Sequence, residues 1–326
     1  MKKTLRAVAA IAASALALTA CGPQGGSSGD AADYPTKNME MTVGFAAGGH
    51  NDVTARKFAA ALEEELGQKV MVVNRTGGGG VISATEASRA KPDGYNLFFA
   101  PTGAFTSAML QQQVTYKIED FRSIQPVAEN AFVIAVPKDS KYKSYEDITK
   151  DKDRVTFSHF GKGHPTHLIG EEIVQNFELN GEAVPYDGSP EALQAIANGD
   201  VSFGIQDITS ALPRLKNGDI RALAVSTEER NHALPDVPSF TELDLEEVHF
   251  SGSQALVVQK DVPAEIVEKL EEAAAKAVED PEFVKFVEDN ANQIPDVEGE
   301  AWFGEFMPQE LERFEKLYEK LGIDSK

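Results

Sequence analysis

An α/β fold with mainly parallel sheets is what this 326-residue sequence predicts. Short β-rich apolar runs recur along the chain. Stretches with helical periodicity lie between them, and glycine-rich turns sit where several runs pass into helices. Strand and helix alternating in this way build sheets covered on both faces.

The N-terminus reads as a targeting segment. Lys2, Lys3 and Arg6 precede an apolar stretch at residues 8–19. That stretch is shorter than the ~20 apolar residues a bilayer span needs, so residues 1–20 read as a signal peptide. It ends Leu18-Thr19-Ala20-Cys21-Gly22, which resembles a bacterial lipobox and implies cleavage before Cys21 with a lipid on its sulfur. Cys21 is the sole cysteine, which excludes an intramolecular disulfide. Residues 21–33, rich in Gly, Ser and Pro, are expected to be a flexible tether. Residues 34–326 remain, enough for two lobes with a core each.

Strands are expected at Met41-Thr42-Val43-Gly44-Phe45, Val70-Met71-Val72-Val73, Leu97-Phe98-Phe99-Ala100 and Phe132-Val133-Ile134-Ala135-Val136. Further strands are expected at Val155-Thr156-Phe157, Val201-Ser202-Phe203-Gly204-Ile205, Ala222-Leu223-Ala224-Val225 and Ala255-Leu256-Val257-Val258. A helical stripe runs through Val53, Ala55, Phe58, Ala59, Leu62 and Leu66 and stops at Gly67. Another includes Leu168, Ile169, Ile173 and Phe177. The C-terminal segment carries Ile266, Leu270, Ala273 and Ala277 on one stripe, and Phe303, Phe306, Leu311, Phe314 and Leu317 on another. These stripes are core faces.

The chain is 42% hydrophobic, as a globular body requires, and its formal charge is −21. Loss of Lys2, Lys3 and Arg6 lowers this by three, to −24. So acidic a surface excludes nucleic acid as a partner. An anion site on it must be built locally, from backbone N–H groups, hydroxyls or a few cations.

In parallel α/β sheets such sites lie beyond the carboxyl ends of strands. The turn Phe45-Ala46-Ala47-Gly48-Gly49-His50-Asn51-Asp52 has glycines that let the backbone approach a ligand, and Asn51 or Asp52 can cap the following helix. Thr102, Gly103 and Ala104 offer a hydroxyl and N–H groups after another strand. The loop Ser158-His159-Phe160-Gly161-Lys162-Gly163-His164-Pro165-Thr166-His167 is locally cationic. Asp207 either orients a donor on a ligand or caps a helix. The run Asn74-Arg75-Thr76-Gly77-Gly78-Gly79-Gly80 fails as a dinucleotide fingerprint because Ile82 stands at the last glycine position, and it lacks a P-loop ending. It reads as a structural loop before a helix from Val81.

Taken in order, these segments resemble the substrate receptors of tripartite tricarboxylate transporters, the Bug-type receptors. The likeness runs from the turn at Phe45 through Asn74-Arg75 and Lys91-Pro92-Asp93-Gly94-Tyr95. It continues through Gly161-Lys162-Gly163, Tyr186-Asp187-Gly188 and Asp207 to Ala233-Leu234-Pro235-Asp236-Val237-Pro238. Ala47 and Thr76 replace prolines usual in the family, and His159 and His164 replace small hydroxyl residues. The resemblance implies a two-lobed periplasmic-binding-protein fold, type II-like, with a mainly parallel sheet in each lobe and a C-terminal helical segment. Lobe 1 would hold residues 34–133 and 254–326, and lobe 2 residues 134–253, with crossovers near 132–137 and 252–257. It implies an extracytoplasmic lipoprotein that takes a mono-, di- or tricarboxylate and passes it to integral membrane transporter subunits. It would be a monomer without cofactor. Loop reading and resemblance together give the candidate ligand-binding set Phe45, Ala47, Gly48, Gly49, His50, Asn51, Asp52, Thr102, Gly103, Ala104, His159, Gly161, Lys162, Gly163, His164, Thr166 and Asp207.

Other classes fit less well. No Gly-x-Ser-x-Gly elbow or other nucleophile argues for an enzyme. His50, His159, His164 and His167 could offer imidazoles to zinc, but their spacing matches no zinc signature. A receptor that signals to a sensor partner keeps the same fold.

Overall fold

The first apolar run becomes β1 (Met39–Val43), whose side chains alternate between fully and partly buried. The computed structural model describes residues 33–245, 248 and 250–326. The signal segment, Cys21 and nearly all of the tether lie outside them. Lys37–Lys326 forms one compact unit.

After β1 comes α1 (His50–Leu66), which buries Ala55, Phe58, Ala59 and Leu62 and ends at Gly67 in the left-handed conformation. Then follow β2 (Val70–Asn74), α2 (Val81–Ser88), β3 (Asn96–Pro101) and α3 (Ser107–Gln111). The long strand β4 (Phe121–Pro137) leads to α4 (Tyr145–Thr149), β5 (Arg154–His159) and α5 (Pro165–Asn176). Next are β6 (Asn180–Pro185), α6 (Ser189–Asn198), β7 (Phe203–Asp207), α7 (Ile208–Asn217) and β8 (Ile220–Val225). The chain closes with β9 (Ser251–Gln259), α8 (Ala264–Glu279), α9 (Pro281–Asp289), α10 (Gly299–Ala301), a π turn (Trp302–Phe306) and α11 (Met307–Leu321).

The strands form one sheet ordered β2-β1-β3-β9-β4-β7-β5-β6, with β8 also paired to β4. Its two wings are parallel: β2, β1 and β3 on one side, and β7, β5 and β6 on the other. The centre is antiparallel, because β9 runs against β3 and β4, and β4 runs against β7 and β8. β4 changes partner part-way along its length. Ala131 is still paired with Ser251 of β9, whereas Phe132 is paired with Asp207 of β7. Residues 132–137, the expected first crossover, are therefore the part of β4 that belongs to the second wing. Pro126, which has no N–H to donate, sits where the β4–β9 register slips.

Side chains from the second wing, including Phe157, Phe203 and Leu168, pack in one core cluster with Phe314, Leu317, Tyr318 and Leu321 of α11. On the first wing Phe98, Phe105, Tyr116 and Phe121 surround the fully buried Trp302. Most stripe positions thus become core faces, although Val53 at the start of α1 is exposed; Phe303 and Phe306 pack against the first-wing cluster, and Phe314 and Leu317 of α11 join the second. Among the described residues no helix is long and apolar enough to cross a membrane.

Candidate functional site

The loops that leave the carboxyl ends of β1, β2, β3, β5, β6 and β7 converge on a cavity of about 470 Å³. Such convergence is where α/β sheets bind ligands, and the volume is in the range of small-molecule sites.

One pole of the cavity is the start of α1. Gly49 is its N-cap, so the N–H groups of His50, Asn51 and Asp52 have no partner within the helix. Asn51 lines the cavity, and its buried Oδ1 has no hydrogen-bond partner. Asp52 is committed elsewhere. It accepts from the Gly48 N–H at 2.8 Å, the Asn74 amide at 2.9 Å and the Arg56 guanidinium at 2.8 Å. Burial pushes its pKa up, but those three donors outweigh burial and hold the carboxyl below the usual range. Asp52 therefore ties the turn shut, and it occupies the Gly48 N–H.

His50 is buried at the same pole, with Nε2 3.1 Å from Gln254 Oε1 and Nδ1 3.0 Å from Thr209 Oγ1. Burial lowers its pKa against the raising effects of Asp207 and Gln254, so the ring is neutral. Gln254 Oε1 can only accept, so Nε2 donates to it, while the Thr209 hydroxyl beside Nδ1 donates to Asn292 Oδ1 at 2.9 Å. The Gln254 amide donates in turn to Asn130 Oδ1 at 2.9 Å, and the Asn130 amide donates to Asp207 Oδ1 at 3.0 Å. Ser189 donates to the other Asp207 oxygen at 2.9 Å. Asp207 occupies the N-cap position of α7, but its side chain does not cap that helix. Its carboxylate lines the cavity instead, as a second pole.

The histidine loop forms another part of the wall. The Gly161 N–H donates to His159 Nδ1 at 3.0 Å, and the Gly163 N–H donates to His167 Nδ1 at 3.3 Å. His164 caps α5 by accepting from the Thr166 N–H at 3.2 Å. Burial, then the neighbouring His159 and His167, push His164 down to about 3; burial, then His159 and Lys162, push His167 down to about 4. Burial also lowers His159. The three rings are neutral at pH 7, and burial removes the imidazole charge the sequence suggested for this loop. Lys162 is exposed and lies off the cavity wall. Among the described residues, no group of three or more His, Cys, Asp or Glu side chains could hold a metal ion.

Of the residues singled out from sequence, the cavity brings together Phe45, Gly49, His50, Asn51, Thr102, Gly103, Gly161, His164 and Asp207. Ala47, Gly48, Asp52, Ala104, His159, Lys162, Gly163 and Thr166 are not on its wall. The Thr102 hydroxyl donates to the Ser253 carbonyl at 2.8 Å and accepts from its N–H at 3.1 Å, so it braces β3 against β9. The glycine run at residues 77–79, read as a structural loop, also lines the cavity. Sequence reasoning missed Asn130, Phe132, Ser189, Gln254 and Phe314. Only Ser189 carried a signal, as the Gly-Ser-Pro helix start after β6.

A model of the family described as "Tripartite tricarboxylate transporter family receptor" matches residues 54–323. An Agrobacterium vitis protein of the UPF0065 group is 35% identical over 253 residues, 76% of this chain and 73% of the relative. BugT of Bordetella pertussis is 30% identical over 241 residues, 72% of this chain and 74% of BugT. Among solved structures, the periplasmic binding protein BugD aligns with TM-score 0.82 at 26% identity, over 89% of this chain and 99% of BugD. MatC from Rhodopseudomonas palustris with bound malate aligns with TM-score 0.79 at 25% identity, over 87% and 99%. An R. palustris protein with adipate aligns with TM-score 0.83 at 25% identity, over 90% and 99%. The shared periplasmic-binding-protein fold, the ordered loops and the extent of the family match lead to one conclusion: the chain belongs to the receptor family of the tripartite tricarboxylate transporters, which are periplasmic solute-binding proteins.

Proposed function

We propose that this protein captures a small organic carboxylate in the cavity and delivers it to integral membrane subunits of a tripartite tricarboxylate-type transporter. It does so from the extracytoplasmic face, tethered by lipid on Cys21, and without catalysing a reaction. The observation that carries this reading is the start of α1. Orphan N–H groups at a helix N-terminus face a cavity of about 470 Å³, and such a terminus is a ready anion site. The malate and adipate held by the two R. palustris relatives are consistent with it. The two lobes correspond to the parallel wings of the sheet, and the ligand sits between them.

Calorimetric titration of the dialysed protein with mono-, di- and tricarboxylates tests the proposal. Binding of at least one carboxylate at micromolar strength is expected, about −8 kcal/mol. Absence of binding across the whole panel would overturn it.

A further inference from the structure

The charges around the cavity narrow the ligand class. Among the described lining residues there is no lysine and no arginine, while Asp187 lies at the exposed rim and Asp207 on the wall. Of the two lining histidines His50 is buried and His164 half-buried, and desolvation lowers the pKa of both, so neither ring adds a charge at pH 7. The wall is therefore anionic at one pole and offers backbone N–H groups and the uncharged Asn51 amide at the other. Phe45, Phe132, Phe160, Tyr186 and Phe314 also line the cavity.

Asp207 is held with care for its charge. One oxygen accepts from Asn130 and the other from Ser189, one bond each. A carboxylate has about four acceptor positions, so about half of its capacity is left over. Asp207 is only partly buried and lines the cavity, which leaves that capacity available to a ligand. A second carboxylate on the ligand would bring like charges together with no cation nearby, which is unfavourable in a site that excludes water. An ammonium brings three donors and the opposite charge. The surrounding rings are good neighbours for a cation as well as for an apolar body.

We infer that the ligand is a zwitterion: a monocarboxylate with an apolar or aromatic body and an ammonium group that is received by Asp207. This rests on the carboxylate-receptor reading and makes it specific. The carboxylate is held at Gly49, His50 and Asn51, and the body lies against the rings. Asp207 is the specificity-determining group, with Asn130 and Ser189 as its positioning residues.

The test uses matched ligand pairs on the unmodified protein, with calorimetry as the readout. L-phenylalanine is compared with 3-phenylpropionate, L-leucine with 4-methylpentanoate, and both pairs with malate and adipate. At least one amino acid should bind 30-fold or more tighter than its des-amino partner and than either diacid. Asp207→Asn should reduce that preference to threefold or less while still binding the des-amino acid. If a diacid or a des-amino acid binds as well as the amino acids, the zwitterion inference is overturned and the receptor reading stands. If no carboxylate binds, both fall together. The ligand pairs decide the matter even if the variant does not fold.

Discussion

The Asn130 side-chain amide donates to the Asp207 carboxylate across 3.0 Å, which joins β4, two residues before its first pairing with β7, to the end of β7. Asn130 also accepts from Gln254 of β9, so one side chain links the antiparallel centre of the sheet to its second wing at the cavity. Asn130→Leu should leave the Asp207 oxygen and one Gln254 donor short of a partner. A loss of about 1–3 kcal/mol is expected in urea denaturation, with an unchanged m-value. The N130D variant should be worse at neutral pH, because its carboxylate would face Asp207. Its deficit should shrink as the pH is lowered toward 4.

His164 offers a pH test whose sign is fixed by burial. Its folded pKa, about 3, lies below the ordinary 6.5, so between those values the unfolded chain holds a proton that the folded one lacks. The stability from the neutral ring is complete above about pH 6.5 and declines as pH falls toward 3, by at most ~1.4 kcal/mol per pH unit. His164→Asn keeps a good helix cap for α5 and removes the titration. The variant should match the parent within about 1 kcal/mol at pH 7.5 and exceed it at pH 5. Equal pH profiles for the two proteins would show that the ring is not held neutral.

How much of this was legible in the sequence follows from where the partners lie. The runs that became β1, β3, β5 and β9 are locally apolar, and local pattern is what sequence displays. β6, Asn-Gly-Glu-Ala-Val-Pro, is mostly exposed at the sheet edge and carries no such run. The first half of β4 contains Arg122, Gln125, Pro126 and Glu129, and is a strand only because β9 pairs with it. The glycine turns were visible because Gly48, Gly161 and Gly163 have positive φ, a demand that selects glycine. Asn130 and Gln254, the partners that tie Asp207 into the site, were harder. Their bonds join positions 77 and 124 residues apart, and an isolated Asn or Gln in a strand announces nothing about its partner.

Trp302 is the sole tryptophan, fully buried, and its Nε1–H donates to Ser253 Oγ at 3.0 Å. Ser253 lines the cavity. The intrinsic emission should be blue-shifted and poorly quenched by iodide until the protein unfolds, and saturating ligand should change its intensity. Trp302→Phe should remove that signal and weaken the Ser253 brace by about 1 kcal/mol. Ready quenching in the folded protein would contradict the packing of Phe105, Phe303 and Phe306 around the indole.

Gly163 fixes the histidine loop against the C-terminal helix. Its φ is +77°, and a Cβ there would overlap the Tyr318 hydroxyl of α11. Two costs would meet in Gly163→Ala: the left-handed backbone, about 1 kcal/mol or more, and overpacking, about 1–3 kcal/mol. The two can be separated. Tyr318→Phe alone should cost at most ~1 kcal/mol, and in combination with G163A it should return the part due to the hydroxyl overlap. A favourable coupling of about 1 kcal/mol is then expected in the double-mutant cycle, with the backbone cost remaining. Because Gly161 and His164 flank this residue and line the cavity, G163A should also weaken ligand binding. Strict additivity of the two substitutions would mean that the loop, not α11, absorbs the added methyl group. Ligand affinity would then fall with G163A and stay low in the double variant.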